Sequence, residues 1–222
     1  MRTEGGGTAG SQRLGVFGGT FDPPHLGHLI IATELRHALS LDRVLFVPAG
    51  RPPHKRAQII GEDERRLAML RLALADAPNF DVNLVDLDRH GPSYTADTID
   101  LLHEQLQPAE LVFLMGEDSL RDLPAWHEPE RIVARAELGV ARRPGVELDL
   151  AAIYSAVPTA CGRVHLVDVP EIGISSRDLR RRVADGRPIR FQVPRSVEDY
   201  IRRHGLYREA SPVRPTPQPE QV

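Results

Sequence analysis

A chain of 222 residues is long enough to bury a substantial core in one domain. Its 28 Lys and Arg stand against 31 Asp and Glu, interspersed to a net charge of −3, so no broad basic field points to nucleic acid. The single cysteine, Cys161, excludes an internal disulfide and reads as a small buried hydrophobe. No apolar run approaches the roughly 18 residues of a membrane span, and the polar MRTEGGGTAGSQR opening lacks a signal-peptide core. A cytoplasmic protein without a membrane partner is expected.

Residues 1–12 read as a flexible extension, 13–207 as the folded domain and 208–222, rich in proline, as a disordered tail. Within the domain, Leu14 to Phe17 predicts a strand, Gly18, Gly19 and Thr20 a turn, and Leu26, Leu29, Ile30, Leu35 and Leu39 a helix by their spacing. A glycine turn before a helix start brings backbone N–H donors near an anion such as phosphate. His25 and His28, three apart, fall on one face of that opening turn and add imidazole donors suited to a polyphosphate. A structural metal pair or two half-exposed rings are the alternatives for the histidines.

Val44 to Val47 predicts a second, buried strand, so a parallel βαβ unit follows. The next loop, AGRPPHKR, carries His54, Lys55 and Arg56 and would overhang the carboxyl ends of the strands, unless it is only a solvated basic loop. Glu62 to Ala75 predicts an amphipathic scaffold helix with Leu67, Leu70 and Leu74 inward. Phe80 to Leu87 shows strand alternation, and Thr95 to Leu106 helical spacing. Ser93, Tyr94 and Thr95 thus precede or open a helix, where free amides can receive a carboxylate or where Ser93 or Thr95 simply caps it.

Glu110 to Met115 is the most apolar predicted strand, and Asp118 just past its end is placed to accept from ribose hydroxyls. Trp126, the only tryptophan, is core filler or a flat surface for stacking. Leu138 to Arg142 and Val164 to Val169 complete the predicted strands. Ser175 followed by Asp178 matches a capping box, so a second helix start offers Ser175, Ser176 and Arg180 to phosphate, or is an ordinary capped basic helix. Ser196 with Asp199 repeats the pattern for a terminal helix. The fold class expected is α/β: a Rossmann-like, doubly wound parallel sheet with helices on both faces and a small C-terminal helical element.

GGTFDPPHLGH resembles the signature of the HxGH nucleotidyltransferase superfamily. Together with PPHK, GPSYTADT, MGEDSL, LPAW and ISSRDLR, it makes residues 13 to 207 similar to the bacterial nicotinate-nucleotide adenylyltransferase family. The resemblance implies adenylyl transfer from ATP, carried with Mg²⁺, to nicotinate mononucleotide, giving deamido-NAD and pyrophosphate. It implies that His25, His28 and Lys55 meet the nucleotide phosphates, that Gly18, Gly19, Thr20 and Phe21 line the ATP site, and that Asp118 contacts the ribose. It further implies that Ser175, Ser176 and Arg180 cradle the β and γ phosphates, while Tyr94, Thr95 and Trp126 receive the nicotinate. Glu117 and Arg177 depart from that pattern, which has a small residue and a threonine there. Nicotinamide mononucleotide or phosphopantetheine as acceptor, a non-catalytic nucleotide-binding module, and homo-oligomerisation are left open by the sequence.

Overall fold

The computed structural model describes residues 11–50, 62–89, 91–142 and 148–208. Both predicted tails, except at their inner edges, and the loop carrying Lys55 lie outside these residues. Six parallel strands form one sheet in the order β3-β2-β1-β4-β5-β6. They are β1 (Arg13–Gly19), β2 (Arg43–Pro48), β3 (Phe80–Val82), β4 (Glu110–Gly116), β5 (Ala136–Arg142) and β6 (Val164–Asp168). The central strands are near-continuous apolar runs because both faces are covered: Val44, Phe46 and Val47 of β2 and Leu111 to Met115 of β4 are buried.

Helix α1 (Leu26–Ala38) follows β1, and α2 (Asp63–Leu74) follows β2. Phe17, Leu35, Leu39, Phe46, Leu70 and Leu114 form the core on that side of the sheet. After the short α3 (Val85–Asp88), the chain crosses to the opposite side. There α4 (Thr95–Gln105), the brief α5 (Glu117–Asp122), α6 (Pro129–Arg135) and α7 (Leu150–Ala156) bring Ile99, Leu120, Ile132 and Ile153 against Val16, Phe113 and Leu138. A third cluster joins α8 (Ser176–Ala184) and α9 (Arg195–Arg203) to α2 through Met69, Leu179, Ile189, Val197, Ile201 and Leu206. This is the expected C-terminal helical element. The strand order reverses between β1, paired to β2 on one edge, and β4 on the other. Such a switch point leaves a crevice at the carboxyl ends of the strands.

Five local expectations are corrected. Gly18 and Gly19 do not form the turn: they extend β1, paired in register with Val47 and Pro48, and the turn comes after them. Phe80 to Leu87 is not one strand: β3 ends at Val82, and Asn83 turns the chain by accepting the Val85 amide on its side chain, opening α3. Cys161 is exposed, because it follows a surface 3₁₀ turn instead of facing the core. Ser196 does not cap α9; the helix starts at Arg195 after Pro194, and the Ser196 hydroxyl donates to the carbonyl of Leu72 at 3.0 Å. Neither Ser93 nor Thr95 caps α4, whose N-cap position is Tyr94, with no side-chain cap bond.

Candidate active site

The switch-point crevice opens into a cavity of about 500 Å³. It is lined by Thr20, Phe21, His25 and His28 from the β1–α1 turn, by Glu117 and Asp118 at the start of α5, and by Ser175, Ser176, Arg177 and Arg180 at the start of α8. Two helix beginnings distant in sequence, those of α1 and α8, therefore face one space. α1 is reached through a sharp turn: Phe21 takes a left-handed φ of 50° and is only 2 % exposed. Its ring lies so close over Gly19 that a Cβ there would meet it at 2.8 Å, which is why glycine occupies the position.

His25 is the N-cap of α1 in extended conformation, and its backbone N–H donates to Nδ1 of His28 at 3.2 Å. That bond leaves the His28 proton on Nε2. The two rings stack with centroids 3.6 Å apart and an interplanar angle of 19°. His25 is buried, its Nδ1 has no hydrogen-bond partner, and burial lowers its pKa to about 4. It is therefore a neutral donor near pH 7, since a positive ring in this stack would be desolvated and unpaired.

The second helix start is tied directly to the first turn. Ser175 caps α8 by accepting the Asp178 amide at 3.2 Å, as its spacing predicts. The Ser176 hydroxyl donates to the Pro23 carbonyl at 2.8 Å, and Arg180 donates to the Asp22 carbonyl at 2.7 Å. Asp22 is 1 % exposed and also accepts from the Tyr207 hydroxyl, whose pKa burial and the adjacent carboxylate push above its ordinary range. Arg66, fully buried on α2, donates to the carbonyls of Thr20 and Ala49, both at 2.8 Å.

A second cavity of about 240 Å³ adjoins the first, sharing Gly19 and Thr20 with it. It is lined by Gly18, Asp86, Ser93, Tyr94, Thr95, Thr98, Phe113, Trp126 and His127. Trp126 meets Phe113 edge-on at 6.1 Å, and Tyr94 packs on His127 at 4.2 Å. Of the described residues expected from sequence at an ATP site, all but Gly18 line the first cavity; Gly18 lines only the second, together with Tyr94, Thr95 and Trp126 expected at a nicotinate site, and Lys55 falls outside the described residues.

Sequence reasoning passed over Asp22, Arg66, Asp86, Arg89, His127 and Tyr207. Arg66 carried a readable signal, since it shares the buried stripe of α2 with Met69, Leu70 and Leu74. A cation on an apolar face needs polar partners.

This arrangement defines a nucleotidyltransferase-type fold, and residues 16–182 match the Cytidylyltransferase-like family model. A Thermomicrobium roseum relative named "Probable nicotinate-nucleotide adenylyltransferase" is 58% identical over 208 residues, covering 94% of this chain and 97% of the relative. Two relatives with the same name agree. One, from Roseiflexus sp. (strain RS-1), is 50% identical over 89% of this chain and 99% of its own. The other, from Thermus thermophilus, is 47% identical over 89% of this chain and 100% of its own. A solved structure, Plasmodium falciparum nicotinic acid mononucleotide adenylyltransferase complexed with NaAD, superposes with a TM-score of 0.71 at 20% identity, covering 88% of this chain and 97% of that one; it shares the fold. The chain belongs to the nicotinate-nucleotide adenylyltransferase family.

Proposed function

We propose that the protein transfers the adenylyl group of ATP to nicotinate mononucleotide, releasing pyrophosphate and forming deamido-NAD. The observation that carries this reading is the adjacency of the two cavities. One is bordered by two helix starts, two histidines and Arg180; the other by an aromatic wall and an uncapped helix start; and they meet at Gly19 and Thr20. A triphosphate along the first and a pyridine mononucleotide in the second would bring the acceptor phosphate and the α-phosphorus together at that border.

In the reaction, a 5′-phosphate oxygen of the mononucleotide attacks the α-phosphorus in line. The bond from α-phosphorus to the bridging oxygen breaks, and that oxygen leaves with the electron pair as pyrophosphate. An ionised phosphate is already a nucleophile, so catalysis is positioning plus stabilisation of developing charge. His25 and His28, as neutral N–H donors, His28 through Nε2, would bond the phosphate oxygens without proton transfer. Arg180 and the serines at the α8 start would hold the departing end, and Asp118 the ribose. Tyr94, Thr95 and Trp126 would hold the pyridine ring and its carboxylate. No cluster of three His, Cys, Asp or Glu able to hold a metal occurs among the described residues. Mg²⁺ carried by the phosphates, with its waters, would neutralise their charge.

Pyrophosphate release from Mg·ATP, measured with nicotinate mononucleotide, nicotinamide mononucleotide and phosphopantetheine in parallel, tests the proposal. Fastest turnover with nicotinate mononucleotide is expected. Absence of release with all three would revive the reading as a non-catalytic nucleotide-binding module.

A further inference from the structure

At the wall of the second cavity, which Asp86 and Thr98 line, lies a charged cluster that the transfer chemistry does not use. The Tyr94 carbonyl, at the N-cap of α4, accepts the Thr98 amide at 3.1 Å, the ordinary first bond of a helix. Two side-chain donors also reach it, the Arg89 guanidinium at 3.1 Å and the Thr98 hydroxyl at 3.0 Å. Thr98 has one proton to give, and the shorter contact, 2.6 Å, is to Oδ1 of Asp86. With that proton on the carboxylate, Arg89 is the side chain that holds the carbonyl. Arg89 is itself fixed from three directions: to Asp86 at 3.0 Å, to Asp97 at 3.3 Å and to the Thr98 hydroxyl oxygen at 3.3 Å.

The Tyr94 carbonyl and the Thr95 N–H belong to one planar peptide and point in opposite directions. Whatever fixes the carbonyl therefore aims the amide, and Tyr94 and Thr95 both line the cavity. A charged donor on the carbonyl also polarises the peptide and strengthens its N–H as a donor. The cluster of Asp86, Arg89 and Asp97 carries no surplus positive charge to attract an anion by itself. Its contribution is orientation.

We propose that Arg89, seated on Asp86, is a positioning residue that aims the Thr95 amide at the ring carboxylate of the acceptor and so sets the preference for the acid over the amide mononucleotide. This rests on reading the second cavity as the acceptor site. Lysine in place of Arg89 keeps the charge but loses the planar fork that reaches Asp86 and the Tyr94 carbonyl together. Arg89→Lys and Arg89→Met should therefore lower the ratio of kcat/KM for nicotinate over nicotinamide mononucleotide about tenfold, mostly through KM of the acid, with KM for ATP nearly unchanged.

The test measures kcat/KM with both mononucleotides and thermal unfolding for the wild type, the two Arg89 variants, Asp86→Asn and Arg131→Met. Arg131 pairs with Asp97 and Asp100 on the same helix without touching Tyr94, so its variant loosens α4 and should keep the wild-type ratio. Should the Arg89 variants fail to fold, Asp86→Asn, which releases Arg89 without changing side-chain shape, is expected to show the same selective fall. An unchanged ratio, or equal losses with both acceptors, overturns the proposal. A wild type inactive with nicotinate mononucleotide but active with another acceptor withdraws the acceptor reading itself, and this proposal with it.

Discussion

The Arg66 guanidinium, with no solvent exposure, donates to the Thr20 carbonyl at 2.8 Å and so fastens α2 beneath the turn that borders both cavities. Its second branch reaches the Ala49 carbonyl at the end of β2, so one side chain sets the separation of two strand ends where the sheet opens. Arg66→Met would leave buried carbonyls without these donors and is expected to lower stability by about 3 kcal/mol. Chemical denaturation at neutral pH measures that loss. The surviving folded fraction should also show reduced kcat, because Thr20 no longer has a fixed position.

His25 links stability to pH. Burial lowers its folded-state pKa to about 4 from the ordinary 6.5, so the unfolded chain takes up this proton first as pH falls. Its neutral form therefore favours folding fully above the unfolded value, and that contribution is lost progressively as pH drops from about 6.5 toward 4, on the order of 3 kcal/mol in all. Comparing denaturation midpoints of the wild type and His25→Asn at pH 7 and pH 4.5 isolates it. The variant should lose less stability between the two; equal losses would show that the buried ring is not the group responsible.

For His28 the expected effect is kinetic. Its Nδ1 accepts from the His25 amide, which places its proton on Nε2. In the proposed transfer that donor meets the charge that develops, and His28→Ala should reduce kcat about a hundredfold or more while ATP KM shifts only a few-fold. Steady-state pyrophosphate release decides the matter, and an unchanged kcat would remove His28 from the catalytic set.

Much of this architecture was legible because it rests on local rules. The β-branched and apolar runs at 44–47 and 111–115 are buried, and glycine at position 19 is demanded by the Phe21 ring. Ser175 caps α8 as its spacing to Asp178 indicates. What escaped are pairings fixed only by the tertiary fold. Arg66 shares the apolar stripe of an amphipathic helix, so its need for buried partners can be read, but that these are the Thr20 and Ala49 carbonyls is set only by the fold. Asp86 sits in a stretch whose alternation suggests strand, yet Asn83 ends β3 and turns the carboxylate toward Thr98. Ser196 has the spacing of a cap, but Pro194 starts the helix earlier and the hydroxyl finds Leu72 instead.

The contact between Tyr207 and Asp22 spans 185 positions of sequence and joins the C-terminal element to the turn before α1. Asp22 is buried, and Arg180 approaches its carboxylate at 3.8 Å while donating to its carbonyl at 2.7 Å. Removing the hydroxyl in Tyr207→Phe leaves one carboxylate oxygen without this donor, at an expected cost of about 2 kcal/mol. Arg180 would then be drawn further toward Asp22 to compensate that charge, and away from the cavity it lines. The variant should accordingly show a KM for ATP raised several-fold with the KM for nicotinate mononucleotide unchanged, because the second cavity touches none of these residues. Substrate titrations of the folded variant against each nucleotide, at a temperature well below its unfolding midpoint, measure that split; parallel changes in both KM values would mean that Tyr207 acts through general stability and not through Arg180.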